Sequence, residues 1–419
     1  MMSRTLPSIF GWFMASLLAL PAAVSVNDPG GALGAAHAPT TAIVKLNRTQ
    51  HRAALEGRLQ LRELSATANV AEPAISVQLL DPSGPRNEAQ ICWLMPPGAS
   101  GERQFELQTS RQRPDDELLA QLDAVSGQYD ITDAGKPVLR YVYTTIEPGA
   151  VLEQVTPGNR KYARARSDYI HPLFGFDGEP LTLDWPIDHP HHRGIYWAWP
   201  EVDWRGQRGD LHALQSVFAR PTGQCRVSSG LVFAQIEAEN IWKWEDQDAI
   251  VRERAIIRAY RATGAQRLID LEFQFTALTE PVQLARRDTD KYGGLNLRFS
   301  KVLDQAIAFH TDSSNSLPRM AWAELNGRFV QAGRTTSLVV FQHNGNPDYP
   351  GDWVKFPEIN WFQPTFPASG TRYELRPGKP LRLRFRLWLH QGPPTDEQQS
   401  VAQWRAYHAP AAPGFAGSR

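Results

Sequence analysis

The stretch Leu268-Ile269-Asp270-Leu271-Glu272-Phe273-Gln274-Phe275 alternates apolar and polar side chains, the period-two pattern of a strand with one dry and one wet face. The same period recurs in Tyr141-Val142-Tyr143 and in residues 231–236, 255–260, 295–299 and 381–387. So many alternating segments predict an all-β chain whose main body, residues 128–410, is a large antiparallel β-sandwich. Upstream, short apolar runs such as Ile75-Ser76-Val77-Gln78-Leu79 and Ile91-Cys92-Trp93-Leu94 are separated by turn clusters such as Asp81-Pro82-Ser83-Gly84-Pro85. That punctuation predicts a small N-terminal β domain over residues 41–112. Between the two, the Leu- and acid-rich run after Pro114, ended by Gly127, predicts a connecting helix over residues 113–127. A closing helix is expected from Asp396 to Tyr407, with Thr395 as its cap and Gln398 at the capping-box position.

The first 25 residues read as an export signal: Arg4, an apolar run from Leu6 to Val24, and small Ala23 and Ser25 at a cleavage point. The expectation is a secreted or periplasmic protein, with residues 26–40, rich in Gly, Ala and Pro, as a flexible leader. No later segment approaches the ~20 apolar residues that a spanning helix requires. Lys and Arg total 44 against 44 Asp and Glu, so no excess charge favours a nucleic-acid partner. Cys92 and Cys225 are the only cysteines; they carry no catalytic signature and read as two separate thiols. Nothing in the sequence sets the oligomeric state.

The chemistry concentrates in His189-Pro190-His191-His192-Arg193-Gly194, preceded by Asp188 and followed by Ile195-Tyr196-Trp197-Ala198-Trp199. In extended geometry His189, His191, Arg193, Trp197 and Trp199 would share one face, with His192 and Tyr196 on the other. Clustered ionisable groups mark candidate sites. Three more clusters carry unusual residues: His171-Pro172 on the approach, Arg286 to Gly294 with Lys291, and His343-Asn344-Gly345-Asn346-Pro347 with Trp353 beyond it. Indoles beside cations and carboxylates suit a sugar, whose apolar ring faces stack while its hydroxyls take polar partners. No phosphate-cradling glycine loop or nucleophile elbow occurs.

These landmarks resemble the DUF6807 family, whose members often carry the label methane oxygenase PmoA. The resemblance rests on the run from Trp185 to Gly194, His171-Pro172-Leu173, Ile269-Asp270-Leu271, Lys291 with Gly293-Gly294, Trp322, and His343 with Asn346-Pro347, Pro350 and Trp353. It covers roughly residues 128 to 392. It implies a galactose-mutarotase-like supersandwich and a place in bacterial polysaccharide breakdown. The family often sets a glutamate after the lysine; Tyr292 stands there in this chain. A membrane methane monooxygenase subunit needs several spanning helices, which this sequence does not supply.

The resulting expectation is a secreted carbohydrate-active hydrolase or lyase that cleaves a glycosidic C–O bond. His189, His191, His192, Asp188 and His343 are its candidate catalytic residues, with His189 or His191 transferring the proton. His171, Arg193, Trp197, Trp199, Lys291, Asn346 and Trp353 are its candidate substrate-binding residues. No cofactor is required by this reading. Two alternatives stand beside it: a non-catalytic glycan-binding protein, and an enzyme using a divalent metal held by His189, His191 and His343.

Overall fold

A computed structural model of the chain describes residues 23–28, 37–64, 73–98, 101–310 and 320–409. Residues 1–22 of the expected export signal lie outside these. The alternating segments become two eight-stranded antiparallel sheets. The long sheet runs, edge to edge, through Val217–Ser228, Phe233–Trp244, Asp248–Tyr260, Gln266–Ala277, Leu381–Gln391, Thr336–Gln342, Trp322–Phe329 and Val302–His310. The facing sheet runs through Trp353–Phe356, Trp361–Pro364, Gly294–Arg298, Ile195–Ala198, Tyr169–Leu173, Lys136–Val142, Gln128–Asp133 and Leu118–Asp123.

One face of each sheet supplies the core between them. Leu271, Phe273 and Phe275 meet Trp197 and Trp199 there, while the alternate residues Asp270 and Glu272 stay on the outer face of the long sheet. The two indoles stack 4.6 Å apart and 5° from parallel, and the rings of Phe273 and Phe275 meet Trp197 edge-on. The product is an all-β antiparallel sandwich.

The N-terminal region has its own core of Leu59, Leu61, Ile91, Trp93, Phe105 and neighbours. It lies among a four-stranded sheet, a three-stranded sheet and the helix Arg48–Leu55, which Asn47 and Gln50 close with a capping box. Gln78 ties this region to the sandwich: its side-chain oxygen accepts from the amides of Val232 and Phe233, and its amide donates to the Phe233 carbonyl. Cys92 and Cys225 are free thiols.

Several local expectations need correction. The segment expected as a connecting helix forms the edge strand Leu118–Asp123, paired with Gln128–Asp133 across a turn in which Ser126 bonds Asp123 and Gly127 takes φ +71°. Burial of Leu118 and Ala120, with Leu119 and Gln121 exposed, is a period-two pattern that the leucine content masked. The expected leader is structured at its start, because Ala23–Asp28 pairs with Gly101–Thr109. In the closing helix Glu397–His408 the cap is Asp396, which accepts from the Gln399 amide; Thr395 bonds Glu324 and Ser400 instead. No helix among the described residues is long and apolar enough to cross a membrane.

Candidate functional site

The histidine block is not extended. His189 N donates to the Pro186 carbonyl and His192 N to that of His189, two successive tight turns, after which Arg193 bridges to Asp184 and the strand Ile195–Ala198 follows. The turns cancel the expected alternation and put His189 and His192 side by side, their rings stacked 4.8 Å apart. Gly194 makes the exit possible. Its φ is +52°, and a Cβ there would sit 2.2 Å from the Ile170 carbonyl oxygen of the neighbouring strand.

A fourth imidazole arrives from a separate loop. His212 follows the strand Gln207–Gly209, and the amides of Leu211 and His212 both donate to the Trp199 carbonyl. Its ring lies 4.6 Å from that of His191 and 5.3 Å from that of His192. The buried guanidinium of Arg166 braces the two loops, donating to the carbonyls of His191 and His212 at 3.2 and 2.9 Å and to those of Trp197 and Leu211 at 3.1 and 3.0 Å.

His189, His191, His192 and His212 line a cavity of about 220 Å³ together with Tyr292, Phe356, Glu358, Ile359 and Trp361. The rings of Phe356 and Trp361 stack 4.7 Å apart to make one flat apolar wall. Burial lowers His191 to about 3, helped by the charges of His189, Arg166, Arg193 and Arg298. Burial likewise drives His192 and His212 well below the ordinary imidazole value, so all three are neutral near pH 7. His189 differs: it is exposed and its Nδ1 lies 2.9 Å from Asp188 Oδ2. Partial burial raises the Asp188 carboxyl, but the His189 hydrogen bond and the Arg298 charge outweigh that and hold it below the usual range.

The outer face of the facing sheet beneath this cavity is unusually short of hydrogen bonds. Both amide atoms of Asn296, Nε2 of Gln363, Nε1 of Trp361, and Nε and Nη1 of Arg298 are buried without a partner, as are Nδ1 of His191 and His192. Strand register places Asn296 opposite Tyr196, and Arg298 opposite Trp361. Orphan polar atoms gathered beside a cavity call for a partner that a water, an ion or a ligand would supply. His191, His192 and His212 together offer three ligand atoms within 4.8 Å of one another, a group that could hold a metal ion.

The other sequence candidates lie elsewhere or do structural work. Trp197 and Trp199 are sealed in the core and cannot stack on a ligand. Arg193 is fully buried, paired with Asp184 and donating to the Arg164 carbonyl, with its guanidinium against Trp185. His171 bonds Thr182, away from the cavity wall. Lys291 is exposed and held by Asp288 at 2.7 Å. Trp353 is buried and donates to the Met320 carbonyl, while Asn346 clamps the backbone of Arg384 from both sides.

His343 faces a second cavity of about 350 Å³ with Arg384, Arg386, Tyr407 and Asp270, whose lining shares no residue with the histidine cavity. The expected metal set of His189, His191 and His343 is therefore replaced by His191, His192 and His212. His212, Trp361 and Glu358 were not singled out in the sequence. A lone histidine in Gly209-Asp210-Leu211-His212 carries no local signal, and only the fold reveals its neighbours.

The profile of DUF6807, a family of unknown function, matches residues 128–405. No curated protein matches the chain. Among solved structures, the chain is similar to one assigned as a kojibiose phosphorylase from human microbiome, at 9% identity and TM-score 0.24, covering 51% of this chain and 25% of that one. It is also similar to the galactosidase domain of an alpha-galactosidase-sucrose kinase, at 13% identity and TM-score 0.29, covering 66% of this chain and 39% of that one. The chain thus spans well under half the length of either structure.

Proposed function

The chain belongs to the DUF6807 family of unknown function, and from that premise we propose that it is a carbohydrate-active enzyme cleaving a glycosidic C–O bond in the histidine cavity. The same proposal puts the activity outside the cytoplasm, on the export signal expected in the first 25 residues. One observation carries the reading: four imidazoles, a carboxylate and a flat aromatic wall converge on one hollow. At about 220 Å³ it is smaller than the ~300–1,000 Å³ typical of pockets for drug-sized ligands, and suits a single sugar ring. The C–H face of such a ring packs on Trp361 and Phe356, while its hydroxyls meet Tyr292, Glu358 and the imidazoles.

His189, rather than His191, transfers the proton. It alone of the four pairs an exposed ring with a carboxylate, since Asp188 accepts from Nδ1–H and steadies the imidazolium. His191, lowered to about 3, has no proton to give near neutral pH. In the step proposed, protonated His189 gives its Nε2 proton to the leaving glycosidic oxygen as the C–O bond breaks. Glu358 takes a proton from the attacking water in hydrolysis, or from a ring carbon in elimination.

The test is turnover of neutral and acidic oligosaccharides, following new reducing ends and unsaturated products separately. His189→Ala should lower kcat about 10²–10⁴-fold with the fold intact. Equal turnover by that variant removes His189 from the role, and a wild-type protein that neither cleaves nor binds any glycan overturns the reading.

A further inference from the structure

We infer that His191, His192 and His212 bind one divalent transition-metal ion through three imidazole nitrogens, leaving its remaining coordination positions open to the cavity. The inference deepens the reading of that hollow as an active site. It stands on the positions of three side chains rather than on the identity of the sugar.

The first support is proximity on a braced frame. The three offer ligand atoms within 4.8 Å of one another, and they come from two loops that Arg166 joins through the His191 and His212 carbonyls. At Zn–N distances of about 2.0–2.1 Å, tetrahedral ligand nitrogens sit roughly 3.4 Å apart. Binding would draw the three rings together by up to that difference.

The second support is ligand state. Nδ1 of His191 and of His192 is buried without a partner, and an orphan of that kind costs about 1–3 kcal/mol. Nδ1 of His212 lies 3.0 Å from the Tyr196 hydroxyl. With Nδ1–H donating to Tyr196, the lone pair of His212 is left on Nε2. Metal-bound imidazoles are commonly oriented this way, by a partner on the second ring nitrogen.

Charge sets the class of ion. No thiolate or carboxylate belongs to the triad, so the donor set suits zinc, cobalt, nickel, copper or ferrous iron rather than magnesium or calcium. Of the four neighbouring guanidiniums, Arg193, Arg298 and Arg287 are each matched by a carboxylate, that of Asp184, Asp188 and Asp210 respectively, while Arg166 turns its charge onto four backbone carbonyls. Three protein nitrogens with an open face is the arrangement of catalytic rather than structural zinc.

The experiment uses full-length protein without an affinity tag, stripped with chelator and then titrated with Zn²⁺ and with Co²⁺ by calorimetry and visible absorption. One ion per chain is expected, with ligand-field bands of a nitrogen-coordinated Co²⁺ site. His192→Asn and His212→Asn should each weaken binding on the order of 100-fold or more, Tyr196→Phe about 10–100-fold, and His343→Ala not at all. A wild-type apoprotein with a native near-UV spectrum that takes up neither ion overturns the inference. So do folded His192→Asn and His212→Asn variants of unchanged affinity. Stoichiometric metal without cleavage of any glycan supports the metal site and removes the sugar reading; glycan cleavage by a protein that takes up neither ion does the reverse.

Discussion

Arg166→Met isolates the device that holds the candidate site together. The guanidinium is buried at 4% exposure, lies 4.2 Å over the Tyr196 ring, and donates to four backbone carbonyls. Burial lowers its own pKa to about 10, so it stays charged at neutral pH. Methionine keeps much of the volume and removes every donor. Each carbonyl left unpaired costs about 1–3 kcal/mol. Relief from desolvating the cation offsets part of that sum, leaving a net loss on the order of 3–5 kcal/mol, as when other buried polar networks are broken. At about 2–4 °C per kcal/mol for a domain of this size, the Tm falls by roughly 6–20 °C. Near-UV circular dichroism is the suitable probe, because the stacked Trp197 and Trp199 pair reports on the sandwich rather than on the N-terminal region. A variant whose sandwich melts within about 2 °C of wild type, with its indole spectrum unchanged, refutes the idea that this one cation ties the two loops together.

Three further outcomes follow from the same contacts. Trp197→Ala should cost about 3–5 kcal/mol through lost core packing; a variant of native stability that fails only in glycan binding would place the indole in the site after all. Gly194→Ala should destabilise by more than about 3 kcal/mol, because φ is +52° and the new methyl meets the Ile170 carbonyl, and soluble protein of wild-type Tm would refute that. Stability should also fall with acid. His191 is lowered to about 3, first by burial, and His192 and His212 are lowered well below 6.5. The unfolded chain therefore takes up protons below about pH 6.5 that the folded one refuses. Stability is complete above that pH and declines toward pH 3, by up to about 1.4 kcal/mol per pH unit for each histidine. A urea midpoint unchanged between about pH 7 and about pH 5 contradicts this.

The sandwich was legible because its signal is local. Leu268 to Phe275 needs only the pleat to sort its side chains, and the structure sorts them so, with Leu271, Phe273 and Phe275 inside and Asp270 and Glu272 outside. The edge strand Leu118–Asp123 was misread for the opposite reason. Its exposed Leu119 breaks the apolar–polar alternation, and only pairing with Gln128–Asp133 reveals the period.

The site was legible by half, and the half that failed shows what a motif encodes. His189-Pro190-His191-His192 pointed to residues that line one cavity, yet the face-alternation argument assumed a strand where two tight turns occur. It thereby offered Trp197, Trp199 and Arg193 to a ligand when the fold stacks the two indoles in the core and pairs the buried Arg193 with Asp184. Density of rare residue types locates a site; it does not divide the residues that touch a ligand from those that hold the ones that do. The division comes from long-range contacts such as Arg166 to His212, across 46 positions of sequence, which no local pattern carries. The cost of the arrangement points the same way. A core built for stability alone would not keep three imidazoles neutral among arginines, or leave Nδ1 of two of them, His191 and His192, and the Asn296 amide without partners, when apolar residues of equal volume would fill the space at less expense.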